Sequence, residues 1–256
     1  MSQFPKPKIA AHRGLAWDYP ENTMASFEAA ARCNPDFIEL DFHSASDGTL
    51  MCVHDFKLDR YVKDCQPQHV GRSVSELTVA QLQAIDMGSW KNADFKGTSM
   101  PTLQAVLERF TLSDSANSSG SVASPKLLLE HKTGRALQLF DLLQHVKPQP
   151  DSLAVMSFHW DFLKDLRKLD ATLPLTLLGK GQLLDEQIAT ANALNAVAMC
   201  WNHELTRSDI GRLHAADLQA WVYTLNTSEQ WLRAREIGVD VIATDRCDQL
   251  GKFDWS

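Results

Sequence analysis

Several features are missing from this chain of 256 residues, and each absence narrows its class. The five cysteines, Cys33, Cys52, Cys65, Cys200 and Cys247, form an odd set without a CxxC pair. That argues against a disulfide framework and a thiolate zinc site, and reads them as buried small hydrophobes. No uninterrupted apolar run reaches the roughly 18 residues that span a bilayer, so stable membrane insertion is not expected. The first eight residues carry lysines and prolines but no signal-peptide core behind them, which gives a cytoplasmic expectation. Basic charge is in deficit. A net charge of −7 argues against general nucleic-acid binding, which needs a basic face to displace counterions from phosphates. An anionic small substrate would therefore need local cations, available at Arg13, Lys132 and any bound metal.

The stretch from Phe37 to Asp55 organises what is present. Phe37 to His43 and Leu50 to His54 read as strands, joined at Asp47-Gly48, a dipeptide favoured in two-residue hairpin loops. That loop sets Asp41 opposite His54 and Glu39 opposite Phe56, and alternation then sends Glu39, Asp41 and His54 to one face. Two carboxylates on one strand face repel each other unless one takes a proton or a cation sits between them. All-oxygen ligation suits magnesium or calcium, while a solvated outer strand with a surface histidine is the plainer alternative.

Around this hairpin, apolar strand-like runs alternate with helical ones. Strands ending near His12, Asp41, Glu130, Ser157, Leu177, Cys200, Tyr223 and Asp245 make eight, the pattern of a (β/α)8 TIM barrel in a single domain over residues 1–256. Residues 56–100 break the alternation and read as a small insertion after strand 2, over one end of the fold. A serine-rich stretch from Leu112 to Pro125 reads as a mobile surface loop without chemistry. A doubly wound open sheet is the structural alternative, but its Gly-rich strand-to-helix fingerprint is absent.

In such a barrel the working groups stand at the carboxyl ends of the strands. Here those ends carry His12 and Arg13, Glu39 and Asp41, Glu130 and Lys132, and Tyr223 to Asn226. Three carboxylates, two histidines and two fixed cations suit a phosphate ester, with charge stabilised on phosphorus while the histidines exchange protons. The sequence has no Ser-His-Asp spacing that would suggest an acyl hydrolase.

These residues fall in ordered motifs: His12-Arg13-Gly14, Pro20-Glu21-Asn22-Thr23, Ile38-Glu39-Leu40-Asp41, Val53-His54-Asp55, Leu58-Asp59-Arg60, Glu130-His131-Lys132 and Ala243-Thr244-Asp245-Arg246, among others. Together they resemble the glycerophosphodiester phosphodiesterases, most closely the short cytosolic bacterial type, over nearly the whole chain. The resemblance implies a (β/α)8 barrel that hydrolyses small-molecule glycerophosphodiesters, such as glycerophosphocholine or glycerophosphoethanolamine, to sn-glycerol 3-phosphate and an alcohol. It maps the metal ligands onto Glu39, Asp41 and Glu130, the catalytic histidines onto His12 and His54, and the phosphate-binding cations onto Arg13 and Lys132. The implied cofactor is one divalent cation, Mg2+ or Ca2+. Glu21 is a possible support for Arg13, and Tyr223, where the family commonly has tryptophan, a possible substrate wall. His131 replaces the middle residue of the usual Glu-Ile-Lys and is expected to point away from Glu130. Rival readings on the same barrel are a lysophospholipase D-like enzyme, a lyase that stops at a cyclic phosphate, and a non-catalytic glycerophosphodiester-binding protein.

Overall fold

A computed structural model describes residues 4–64, 66–112 and 125–255. Cys65 and the serine-rich stretch at 113–124 lie outside the described residues. The first strand, β1 (Lys8–Ala11), is followed by α1 (Met24–Arg32), β2 (Phe37–Ser44) and β3 (Leu50–Cys52). Thr23 starts α1 by accepting a hydrogen bond from Ser26 N, so one of the unpaired amides of the first turn is satisfied. Six further strands complete the sheet: β4 (Lys126–His131), β5 (Leu153–Ser157), β6 (Leu175–Gly179), β7 (Ala198–Asn202), β8 (Gln219–Tyr223) and β9 (Val241–Thr244). Helices separate them, namely α5 (Ala136–Val146), α6 (Trp160–Leu169), α7 (Asp185–Ala193), α8 (Arg207–Ala215) and α9 (Ser228–Ile237).

All neighbours pair in parallel except β3, which runs antiparallel to β2, and the β1–β2 and β1–β9 pairings close the sheet on itself. Among the described residues the fold is thus a closed barrel of eight parallel strands, a (β/α)8 TIM barrel, with β3 as a hairpin arm. Strand alternation divides the core into two layers. Ile38, Leu40, Leu127 and Leu129 point outward and pack under the helices, whereas Leu128, Met156, Leu178, Cys200 and Trp221 fill the barrel with the small Ala10, Ala154, Ala198 and Ala243. Alternation along β2 and β4 then turns Glu39, Asp41 and Glu130 inward. The small residues leave room, and a cavity of about 650 Å3 opens at the carboxyl ends of the strands.

The hairpin differs from its expected register by one residue. Ser44 pairs with Leu50, His43 with Met51 and Phe42 with Cys52. The loop has three residues rather than two. Gly48 N donates to Ala45 O, Ala45 N donates to Thr49 O, and Gly48 takes the left-handed φ of +87° that closes such a loop. Asp47 stabilises this form by accepting from Thr49 N at 3.1 Å and from Val79 N at 2.8 Å. In this register Asp41 lies against Val53, whose N–H donates to Asp41 O. His54 reaches the cavity because β3 ends at Cys52 and the chain leaves strand geometry before it.

Between β3 and α4 (Leu103–Thr111) the chain forms only short pieces, including α2 (Asp59–Val62) and α3 (Val79–Gln83). They share a separate apolar cluster in which Leu58, Tyr61, Leu82 and Met87 pack with Met51 and Val53. A fully buried side chain of this size contributes about 2 kcal/mol by area. This cluster holds the segment against the hairpin, beside the mouth of the barrel.

Candidate active site

The turn after β1 sets the first residues of the site. Arg13 and Gly14 both have left-handed φ, +54° and +84°, and a Cβ at Gly14 would run into Ser26. The reversal aims Arg13 N at Glu39 Oε2, 2.8 Å away. The Arg13 side chain reaches Glu21 Oε1 at 2.9 Å and lies 3.2 Å from Asp41 Oδ2. Asn22 holds Asp41 from both sides, donating from Nδ2 to Oδ2 at 2.8 Å and accepting from Asp41 N at 2.9 Å. Just past β4, Lys132 Nζ contacts Glu130 and stands 3.1 Å from Asp41 Oδ1.

Glu39, Asp41 and Glu130 are all buried, and each presents an oxygen within 4.8 Å of the others. Burial raises Glu39 well above the ordinary carboxylate range, and the nearby Asp41 and Glu130 charges add to the effect. Glu130 is raised by burial and by Asp41. Asp41 behaves oppositely: burial opposes its ionisation, but Lys132 and Arg13 outweigh it and keep the carboxylate charged. With all three ionised, the carboxylates exceed the two fixed cations by one charge; the buried Glu39 Oε1 accepts no hydrogen bond, and the buried Asp41 Oδ1 has Lys132 Nζ 3.1 Å away. Unsatisfied buried carboxylate oxygens are costly unless a cation meets them. The donor set therefore fits a hard divalent cation.

Both histidines line the cavity, each with Nδ1 against a carboxylate. His12 Nδ1 lies 2.6 Å from Asp245 Oδ1, while Asn226 Nδ2 donates to Asp245 Oδ2 at 2.6 Å. His54 Nδ1 lies 2.7 Å from Asp55 Oδ1, while Arg60 Nε donates to Asp55 Oδ2 at 2.8 Å. The hydrogen bond from His54 and the charge of Arg60 hold Asp55 down to about 2, against the effect of burial. Arg60 also donates to both oxygens of Glu21, at 2.6 and 3.0 Å. Glu21 therefore bridges the arginine of the β1 turn and an arginine of α2. Behind His54, the buried His43 places Nε2 2.9 Å from His54 O and fixes that backbone.

The structure brings His12, Arg13, Glu39, His54, Glu130, Lys132 and Tyr223 to one cavity, with Asp41 buried directly behind them. Tyr223 contributes wall, since its hydroxyl is committed to Gly179 O at 2.8 Å. His131 faces away, stacked on Phe162 with ring centroids 3.5 Å apart and bonded to Gly134 O and Ser157 Oγ. His203 lines a small separate cavity beside α9. Sequence reasoning gave no role to Asp245, Asn226, Asp55, Arg60 and Asn22. The first four hold the histidines, and the available signal was their place inside the ordered motifs next to strand ends.

Comparison with known proteins gives a consistent result. The model for the glycerophosphoryl diester phosphodiesterase family matches residues 12–249. A glycerophosphodiester phosphodiesterase of Bacillus subtilis (strain 168) is 30% identical over 257 residues, covering 94% of this chain and 84% of the relative. One from Bacillus altitudinis is 28% identical over 248 residues, covering 96% and 97%. An Oleispira antarctica phosphodiesterase, solved in complex with the product sn-glycerol-3-phosphate, superposes with a TM-score of 0.84 at 21% identity, covering 96% of each chain. A glycerophosphodiester phosphodiesterase from Agrobacterium tumefaciens gives 0.78 at 23% identity, covering 96% of this chain and all of the other.

Proposed function

This chain belongs to the glycerophosphoryl diester phosphodiesterase family, and we propose that it cleaves glycerophosphodiesters to sn-glycerol 3-phosphate and an alcohol with His12 and His54 as its proton-transfer pair. The chain is a phosphoric diester hydrolase; the roles of its residues are our reading. The observation that carries it is the pair of imidazoles, each held at Nδ1 by a carboxylate, lining the same cavity as the three-carboxylate cluster.

Glu39, Asp41 and Glu130 would hold one divalent cation, Mg2+ or Ca2+. When bound, that cation supplies positive charge to the phosphate oxygens as charge builds on phosphorus. Arg13 and Lys132 bring fixed positive charge to the same place and bind non-bridging oxygens. The carboxylates on Nδ1 fix the ring tautomers and leave each Nε2 for the substrate.

The two dyads are unequal, and our reading of their roles rests on that difference. Besides His12, the Asp245 carboxylate is hydrogen-bonded by the neutral Asn226 and by no cationic side chain among the described residues, so its negative charge supports the imidazolium that forms when His12 takes a proton. His12 is accordingly the base. Asp55 is shared with the cationic Arg60, which weakens its support for a charged His54 and favours release of a proton to the leaving alcohol. His54 is accordingly the acid.

The chain's free cysteines, Cys33, Cys52, Cys200 and Cys247 among the described residues, suit a reducing compartment, and we place the enzyme in the cytoplasm. Among the described residues, no helix is long and apolar enough to cross a membrane.

Phosphorus NMR of glycerophosphocholine turnover tests the reaction, with chelator and with Mg2+ or Ca2+ restored. Metal-dependent appearance of sn-glycerol 3-phosphate is expected. Accumulation of a cyclic phosphate would reassign the enzyme as a lyase, and an unchanged diester with every metal would refute the hydrolase reading.

A further inference from the structure

The far wall of the cavity bears on the alcohol that the enzyme releases. Phe158 follows β5, Lys180 follows β6 and Tyr223 ends β8, and all three line the cavity. β6 lies four strands from β1 in either direction round the barrel, so Lys180 stands across the mouth from His12. It is exposed and makes no hydrogen bond or ion pair among the described residues. The other two cationic side chains of the lining, Arg13 and Lys132, are both committed to carboxylates.

The carboxylates of the lining are Glu39 and Glu130, both in the metal-ligand cluster. The acidic side chain closest in sequence to the β7 end of this rim, Glu204, accepts from Asn202 Nδ2 at 2.8 Å and does not line the cavity. The floor is apolar, built from Ala10, Leu128, Cys200 and Val241. With glycerol on the side of the phosphate away from Lys180, the other substituent would extend toward the mouth, where it would meet an uncommitted ammonium group and no carboxylate. The Lys180 ammonium repels a choline or ethanolamine head and attracts a negative one.

We propose that Lys180 is a specificity residue that selects glycerophosphodiesters whose alcohol carries an anionic group, a carboxylate or phosphate, over those with cationic heads. This rests on the hydrolase reading above, with glycerol on the opposite side of the phosphate from Lys180.

Three esters of sn-glycerol 3-phosphate with two-carbon alcohols isolate charge from size: ethanolamine is cationic, ethylene glycol neutral and glycolate anionic. With metal-loaded enzyme at low salt, kcat/KM for the glycolate ester is expected to exceed that for the ethanolamine ester by about tenfold, narrowing at high salt. Lys180→Met should bring that ratio close to one while leaving the ethylene glycol ester within about twofold of wild type, and Lys180→Glu should invert it. The exposed site predicts unchanged melting temperatures for both variants. A charge-blind wild type, a preference for ethanolamine, or a Lys180→Met variant that slows all three esters alike would overturn the proposal. Absence of sn-glycerol 3-phosphate from every ester would refute the hydrolase reading and the proposal together, whereas charge-blind hydrolysis refutes the proposal alone.

Discussion

Asp245 Oδ1 lies 2.6 Å from His12 Nδ1, across a sequence separation of 233 residues. The barrel closes by pairing the last strand with the first, with Ala11 beside Thr244, and this brings the residues just after each strand into contact. Asn226 then fixes the carboxylate: its Nδ2 donates to Asp245 Oδ2 and its Oδ1 accepts from Asp245 N at 2.9 Å.

Asp245→Asn keeps the size of the side chain and removes the charge that supports protonated His12. The expected outcome is a fall in kcat on the order of 100-fold, with KM changed little and the melting curve retained. Steady-state kinetics on glycerophosphocholine, paired with a thermal melt, measures both. An unchanged kcat would mean that the dyad serves structure alone.

Metal binding should release protons. In the metal-free protein Glu39 and Glu130 are held above the ordinary carboxylate range, so lowering the pH fills them with protons that a cation must displace. Affinity for Mg2+ or Ca2+ should therefore rise with pH through the acidic range. Calorimetric titrations in two buffers of different ionisation enthalpy should count more protons released per cation at lower pH than at higher pH. Binding to carboxylates already ionised would release none at either pH.

His131 should tax stability in acid. Burial holds its folded pKa down to about 4, below the ordinary 6.5. The unfolded chain therefore takes up a proton first, and stability present above pH 6.5 is lost as pH falls toward 4, by up to about 3 kcal/mol from this group. His131→Phe removes the titration, so urea unfolding of the variant should show a shallower fall over that window. Parallel curves would contradict the assignment.

Much of the barrel and its charged rim was legible because both follow from local rules. Apolar runs such as Leu127 to Leu129 mark buried strands, and a carboxylate placed directly after one stands out. Alternation then puts Glu130 inside and His131 outside. The hairpin register was not legible, because Asp47-Gly48 serves loops of either length. The choice is made by Val79 N, which reaches the Asp47 carboxylate from 32 residues away. The partners of the histidines were hidden for the same reason. Asp245 meets His12 only through barrel closure, and Arg60 reaches Asp55 only once α2 is packed by the cluster around Tyr61 and Met87.

The roles of the two histidines are tested most directly by changing the leaving group. A p-nitrophenyl ester of sn-glycerol 3-phosphate departs without protonation, so it needs a base but no acid. With glycerophosphocholine, His12→Ala and His54→Ala should each lose on the order of 100-fold or more in kcat/KM. With the nitrophenyl ester, His54→Ala should recover to within about tenfold of wild type while His12→Ala stays impaired. Recovery of His12→Ala instead would reverse the roles, and equal loss in both variants with both substrates would contradict an acid–base pair.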